Sequence, residues 1–183
     1  MIQGNFENCR TLSEFYQQAS KLYAERYGIA HLDYYKTIES LVKQVNSYKE
    51  LGSMQGVSAA AAILGNPNLT FIEMIDITFK YLNPHRKLFS EFNGKLKFSE
   101  CDSTKCKINE VDMTFIDSLH KYNHLKKEIS LHAPKTKKFL MFHDTNLKGI
   151  KKAIKETVNT TTTDWKYKIV NEQGCGFTVL ERK

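Results

Sequence analysis

The sequence predicts an α/β domain: a seven-stranded, mostly parallel sheet whose last strand is antiparallel, with helices on both faces and a helical extension in front. Three observations carry this. After Ser47, short apolar runs alternate with helical stretches, a pattern that calls for parallel strands joined by right-handed crossovers. The last two runs are separated only by a short glycine-containing turn, 171–176, which reads as an antiparallel pair. Ahead of Ser47 the apolar spacing is helical throughout.

Taken in order, residues 11–45 place Leu12, Phe15, Tyr16, Ala19, Leu22 and Tyr23, then Tyr34, Tyr35, Ile38, Leu41, Val42 and Val45, on helical faces. Two amphipathic helices follow, hinged near Gly28. Residues 1–46 thus form an N-terminal helical extension whose amphipathic pair is a natural homodimer contact. The strands are expected near 48–51, 70–75, 95–98, 112–116, 138–142, 165–170 and 177–180, and residues 59–64 form a strong helix. Residues 104–110 carry little or no helix, which leaves that side of the sheet edge open.

A chain of 183 residues, 41% hydrophobic, is one domain's worth and can bury a real core. Residues 1–7 lack the basic and apolar regions of a signal peptide, and no apolar run reaches the roughly 18 residues of a membrane span. The expectation is a soluble, cytoplasmic protein with no membrane partner. Cys9, Cys101, Cys106 and Cys175 show no paired metal spacing and read as free thiols. The net charge of +7 is compatible with nucleic acid. Its excess sits in groups such as Lys135, Lys137, Lys138 and Lys148, Lys151, Lys152, which read as solvated faces, and no recognition motif with interleaved aromatics accompanies them.

Chemistry concentrates at strand ends. The first strand runs into Glu50-Leu51-Gly52-Ser53-Met54-Gln55-Gly56-Val57-Ser58, where the glycines permit a tight turn and close approach of a ligand to the start of a helix. A plain strand-to-helix turn gives the same pattern, and the spacing is not the three-glycine dinucleotide fingerprint. The second strand ends in Ile75-Asp76-Ile77, where Asp76 can accept from ribose hydroxyls or cap a helix. The third is followed by Glu100-Cys101-Asp102-Ser103, where Asp102 can face an adenine amino group or cap the turn. The fourth and fifth end in Phe115-Ile116-Asp117-Ser118-Leu119-His120-Lys121-Tyr122 and Phe142-His143-Asp144-Thr145, delivering titratable groups to one sheet edge.

These motifs, in this order over residues 47–183, resemble those of class I S-adenosylmethionine-dependent methyltransferases. The nearest resemblance is to the branch of cephalosporin-biosynthesis-like and macrolide-sugar O-methyltransferases, whose fourth strand ends in Asp-x-x-His-x-Tyr. The resemblance implies a Rossmann-like methyltransferase domain over 47–183, with S-adenosylmethionine as cofactor. Glu50, Gly52, Ser53, Gln55 and Gly56 would line its methionine and ribose end, Asp76 and Ile77 the ribose, Asp102 and Ser103 the adenine, with Asp117 beside them. A hydroxyl of a small molecule or sugar would be the acceptor.

Methyl transfer to an alcohol needs alignment, desolvation and removal of a proton. His120, one helical turn after Asp117 if a helix begins there, is the expected base, with Asp117 and His143 beside it. Asp117 and Asp144 offer oxygen ligands to Mg2+. Metal-dependent relatives carry two successive acids after the fifth strand. Here the pair is His143-Asp144, so one hard ligand is replaced by an imidazole. His120 and His143 can also simply pack against the ligand, and His124 is expected to be exposed. Methylation of a nucleic acid or protein, and a non-catalytic cofactor-binding partner module, are the alternatives.

Overall fold

A computed structural model describes residues 6, 8–159 and 164–183; of the stretch 1–7 read for a targeting signal, all but Phe6 lies outside the described residues. The elements are α1 (Leu12–Tyr27), α2 (His31–Val42), β1 (Ser47–Leu51), α3 (Val57–Gly65), β2 (Phe71–Asp76), a 3-10 helix (Asn83–Glu91), β3 (Lys95–Glu100) and β4 (Val111–Ile116). Then come α4 (Tyr122–His132), a short 3-10 turn (Ala133–Lys135), β5 (Thr136–His143), α5 (Lys148–Asn159), β6 (Trp165–Asn171) and β7 (Phe177–Arg182). All seven expected strands form.

The strand order is β3-β2-β1-β4-β5-β7-β6. The first five strands are mutually parallel, while β7 runs antiparallel to both β5 and β6. The chain leaves β1 toward β2 on one side and later returns to β4 on the other. Between these two strands the order reverses, and ligands bind at that point in open α/β sheets.

Side-chain alternation splits the core between the two faces. Tyr48, Met113, Phe115, Phe139 and Met141 join residues of α1, α2 and α3 in one cluster, whereas Leu51, Ile116, Leu140 and Phe142 join α4 and α5 in another. Burying a side chain such as Phe115 or Phe139 contributes roughly 1.5–3 kcal/mol. The residues Val57 to Ile63 of α3 are all buried, because the helix lies between the sheet and the pair α1/α2 and has no polar face to turn outward. Thr11 caps α1 by accepting from the Glu14 N–H at 3.1 Å, and Gly28 ends it with a φ of 91°. The extension therefore packs into the sheet's own core.

Two expectations change. Cys101 and Cys106 are not free thiols: they form a disulfide, leaving Cys9 and Cys175 free among the described residues. The pair brackets a turn with Cα atoms 6.0 Å apart, a separation suited to a cross-link that their spacing did not reveal. His120 lies before α4, in the loop between β4 and that helix, so its approach to Asp117 is set by the loop and not by a helical turn. No described helix is long and apolar enough to cross a membrane.

Candidate active site

The glycine turn after β1 is built by contact with the end of β4. Gly52 adopts a φ of 87°, its N–H donates to the Ile75 carbonyl at 2.8 Å, and a Cβ at this position would collide with the backbone carbonyl of Asp117. Met54 holds the uncommon φ of 45°, stabilised by its N–H donating to Asp76 Oδ2 at 2.8 Å. Asp76 also accepts from the Thr78 N–H at 3.2 Å. Its structural part is thus to tie the ends of β1 and β2 together. Gly56 serves packing: a Cβ there would lie 2.7 Å from Phe89 and 2.8 Å from Leu82.

Two cavities open along this edge. The larger, about 500 Å³, is lined by Gly52, Met54, Ile75, Asp76, Ile77, Cys101, Asp102, Ser103, Asp117, Ser118, Leu119 and His124. The second, about 390 Å³, lies under the N-terminal helices and adds Tyr23, Tyr27, His31, Tyr34, Ser53, Gln55, His120, His143 and Asp144. Gly52, Met54, Asp117 and Ser118 line both, so one elongated ligand can span them. Glu50 and Gly56 line neither. Glu50 is fully buried beneath the turn, where its Oε2 accepts from the Ser58 and Tyr48 hydroxyls at 2.7 and 3.1 Å and its Oε1 has no hydrogen-bond partner. Burial, offset by those hydrogen bonds, raises its pKa to about 7.

Asp117, His120, His143 and Asp144 come together at the second cavity. His120 Nε2 lies 3.2 Å from Asp117 Oδ1 and 2.9 Å from Asp144 Oδ2; His143 Nδ1 lies 3.4 Å from the same two oxygens, in ion-pair range without hydrogen-bond geometry. The hydrogen bonds to Asp117 and Asp144 raise the His120 pKa to about 10. For His143, burial opposes the charge but the two carboxylates outweigh it, again giving about 10. Burial likewise opposes ionisation of Asp117 and Asp144; the histidines prevail, lowering Asp117 to about 2 and holding Asp144 well below the usual carboxylate range. These opposed shifts favour ionised carboxylates paired with protonated imidazoles in the cluster.

Asp102 and Ser103 turn inward. Asp102 Oδ1 accepts from the N–H and hydroxyl of Thr104, both at 2.8 Å, and so caps its own turn. Ser103 donates to Glu128 Oε1 at 2.5 Å, which also accepts from Ser118 at 2.6 Å and lies 3.3 Å from His124 Nε2. His124, expected to be exposed, is therefore a partly buried wall of the larger cavity. Glu128 is fully buried, and burial raises its pKa. Nothing in the local sequence signals this network, because its members lie on three separate segments.

The N-terminal helices supply the other unanticipated residues. Tyr23 donates to Gln55 Oε1 at 3.0 Å, joining α1 to the glycine turn. His31 stacks on Tyr23, ring centroids 5.5 Å apart and planes 5° from parallel, while Tyr34 packs 4.5 Å from His143. Burial and the neighbouring His143 lower the His31 pKa to about 4, partly offset by Asp117 and Asp144. His132, buried at the end of α4 with Nε2 2.9 Å from the Ser103 carbonyl, is lowered to about 4 by burial and by Lys49.

These histidines set an expected stability profile. Between about pH 4 and 6.5, His31 and His132 bind fewer protons folded than unfolded, so acidification through that window destabilises the fold. Between 6.5 and about 10, His120 and His143 bind more protons folded, so their stabilisation is lost as pH rises. Glu50 and Glu128, whose pKa values burial raises, bind more protons folded and oppose the two buried histidines on the acid side, so the net trend is expected on the alkaline side. Urea unfolding midpoints should fall from pH 7 toward pH 10, and a midpoint climbing steadily over that range contradicts the assignment.

The fold has counterparts among solved structures. A Staphylococcus aureus protein assigned as a caffeoyl-CoA O-methyltransferase matches with a TM-score of 0.70 at 12% identity, over 94% of this chain and 97% of that one. An S-adenosylhomocysteine-bound methyltransferase of Podospora anserina, PaMTH1, matches at 0.65 and 11% identity, over 100% and 98% of the two chains. The Streptomyces achromogenes O-methyltransferase TomG, solved with S-adenosylmethionine, matches at 0.63 and 12% identity, over 100% and 92%. No family model and no curated protein matches the chain. The fold is the Rossmann-like fold of class I methyltransferases, whole and with its terminal hairpin.

Proposed function

We propose that the chain is an S-adenosylmethionine-dependent O-methyltransferase acting on a hydroxyl of a small molecule or sugar, assisted by Mg2+. The observation that carries this is the pair of cavities sharing Gly52, Met54, Asp117 and Ser118, with a carboxylate cluster that runs from the shared Asp117 into the second cavity. An adenosyl group fits the larger cavity and a methionyl chain the second. The cofactor supplies a methyl group activated by its sulfonium.

The chain's own residues do the rest. Gly52, having no Cβ, lets the ends of β1 and β4 press together and leaves the ligand a backbone wall. Tyr23, His31 and Tyr34 roof the second cavity and exclude water from an acceptor seated there. Asp117, His120 and Asp144 place ligand atoms within 4.8 Å of one another, and two hard carboxylates beside one imidazole fit a divalent cation that would displace the proton His120 otherwise carries. His120 holds a proton between the carboxylates, at the position such a cation would neutralise. It takes the acceptor's proton only from its neutral form.

Transfer of labelled methyl from S-adenosylmethionine to a panel of hydroxylated small molecules and sugars tests the proposal. Transfer in Mg2+ that is lost in EDTA is expected. Transfer to amines alone, or to no acceptor by a protein that binds S-adenosylhomocysteine, overturns it.

A further inference from the structure

The segment between β3 and β4 lacks the helix that covers the other crossovers, and it carries the Cys101–Cys106 disulfide instead. Its two ends are anchored by hydrogen bonds. At the first, the Cys101 N–H donates to the Asp76 carbonyl at 2.8 Å, and Ser103 is pinned by Glu128 and His132. At the second, Asn109 donates to Glu73 Oε2 at 2.8 Å and its carbonyl accepts from Lys49 at 3.1 Å. The cross-link fixes the middle. Cys101 itself lines the larger cavity beside Asp76 and Asp102, and both cysteines are only partly buried, within reach of a small thiol.

We propose that Cys101–Cys106 is a thiol–disulfide exchange site, through which a dithiol reductant lowers the affinity of the larger cavity for an adenosyl ligand. The proposal rests on the cofactor reading above. A thiolate of the reductant attacks one sulfur of the pair, the S–S bond breaks, and the other cysteine leaves as a thiolate that takes up a proton. The reductant's second thiolate then resolves the mixed disulfide. The protein gains two thiols by uptake of two electrons and two protons, and the reductant leaves as its own disulfide.

The consequence is graded. The hydrogen bonds at 101–104 and at Asn109 survive reduction, so the fold persists. What is lost is the covalent restraint on Cys101, the cross-linked residue that lines the cavity, and the ligand must then fix its side chain and the turn to Cys106 on binding. The expected weakening is about tenfold.

Isothermal titration with S-adenosylhomocysteine, on air-oxidised protein and after dithiothreitol, tests this. Oxidised protein should show two reactive thiols in denaturant, from Cys9 and Cys175, and reduced protein all four. Dissociation constants should differ about tenfold. Cys106→Ser, which opens the cross-link without altering a cavity residue, should bind as weakly as reduced wild type with or without dithiothreitol. Equal affinity in both states, or four thiols after oxidation, overturns the proposal while leaving the cofactor reading intact. Binding in neither state, with the thiol count still changing, overturns both. Hydrogen exchange that is unchanged over 101–110 on reduction also counts against the proposal.

Discussion

Gly52→Ala should abolish measurable binding of S-adenosylhomocysteine, a loss of about 100-fold or more. The glycine sits at φ 87°, where an alanine is strained by about 1–2 kcal/mol before any contact is considered. Its new methyl would then meet the Asp117 carbonyl, a backbone atom that cannot rotate away, so the ends of β1 and β4 must separate. That movement carries Asp117 with it, and Asp117 walls both cavities. Thermal denaturation should show a folded protein of lowered midpoint, because α3 and the sheet core lie outside the clash. A variant that binds like wild type would mean that the glycine turn is only a connection.

The second large effect is expected at Asp117→Asn. The substitution keeps the shape and removes the charge that His120 and His143 share with Asp144. His143 is only 8% exposed, so its imidazolium then keeps a single carboxylate partner and its pKa falls toward the ordinary histidine value. Imidazole resonances followed by NMR against pH should shift accordingly. Stability should drop by roughly 1–3 kcal/mol and, on the proposed function, methyl transfer by about 1,000-fold, since one carboxylate of the proposed cation site and a wall shared by both cavities change together. Turnover within a factor of a few of wild type would remove the cluster from the chemistry.

Much of the framework was legible because each strand announces itself locally. The run Phe139 to Phe142 is apolar and leads into His143, and the runs that end at Leu51, Ile75 and Ile116, though interrupted by Lys49, Glu50, Glu73 and Thr114, lead directly into Gly or Asp. The terminal hairpin follows from a turn that is too short for a crossover. The meeting of Asp117 with Asp144 was legible for the same reason: adjacent parallel strands end at one edge. The state of His120 was not. Its spacing from Asp117 suggested a helix, but the helix begins at Tyr122, and the loop folds the imidazole between two carboxylates where it stays charged. Sequence spacing reports neighbours along the chain. The contacts of Ser103 and Ser118 with Glu128 span 25 and 10 residues and involve side chains that would also suit a solvated surface. The helical periodicity of Tyr23, Tyr34 and Tyr35 identified a buried face, and only the packing of α1 and α2 against α3 shows that this face roofs the second cavity.

The charged cluster, the aromatic roof and the glycine turn all depend on one claim, that the two cavities hold a single adenosyl sulfonium cofactor. Isothermal titration of the oxidised wild-type protein with S-adenosylhomocysteine tests it most directly. One site per chain with a micromolar dissociation constant, about −8 kcal/mol, is the predicted result. A flat titration at concentrations that saturate such a site would contradict the account, leaving a methyltransferase fold without its cofactor.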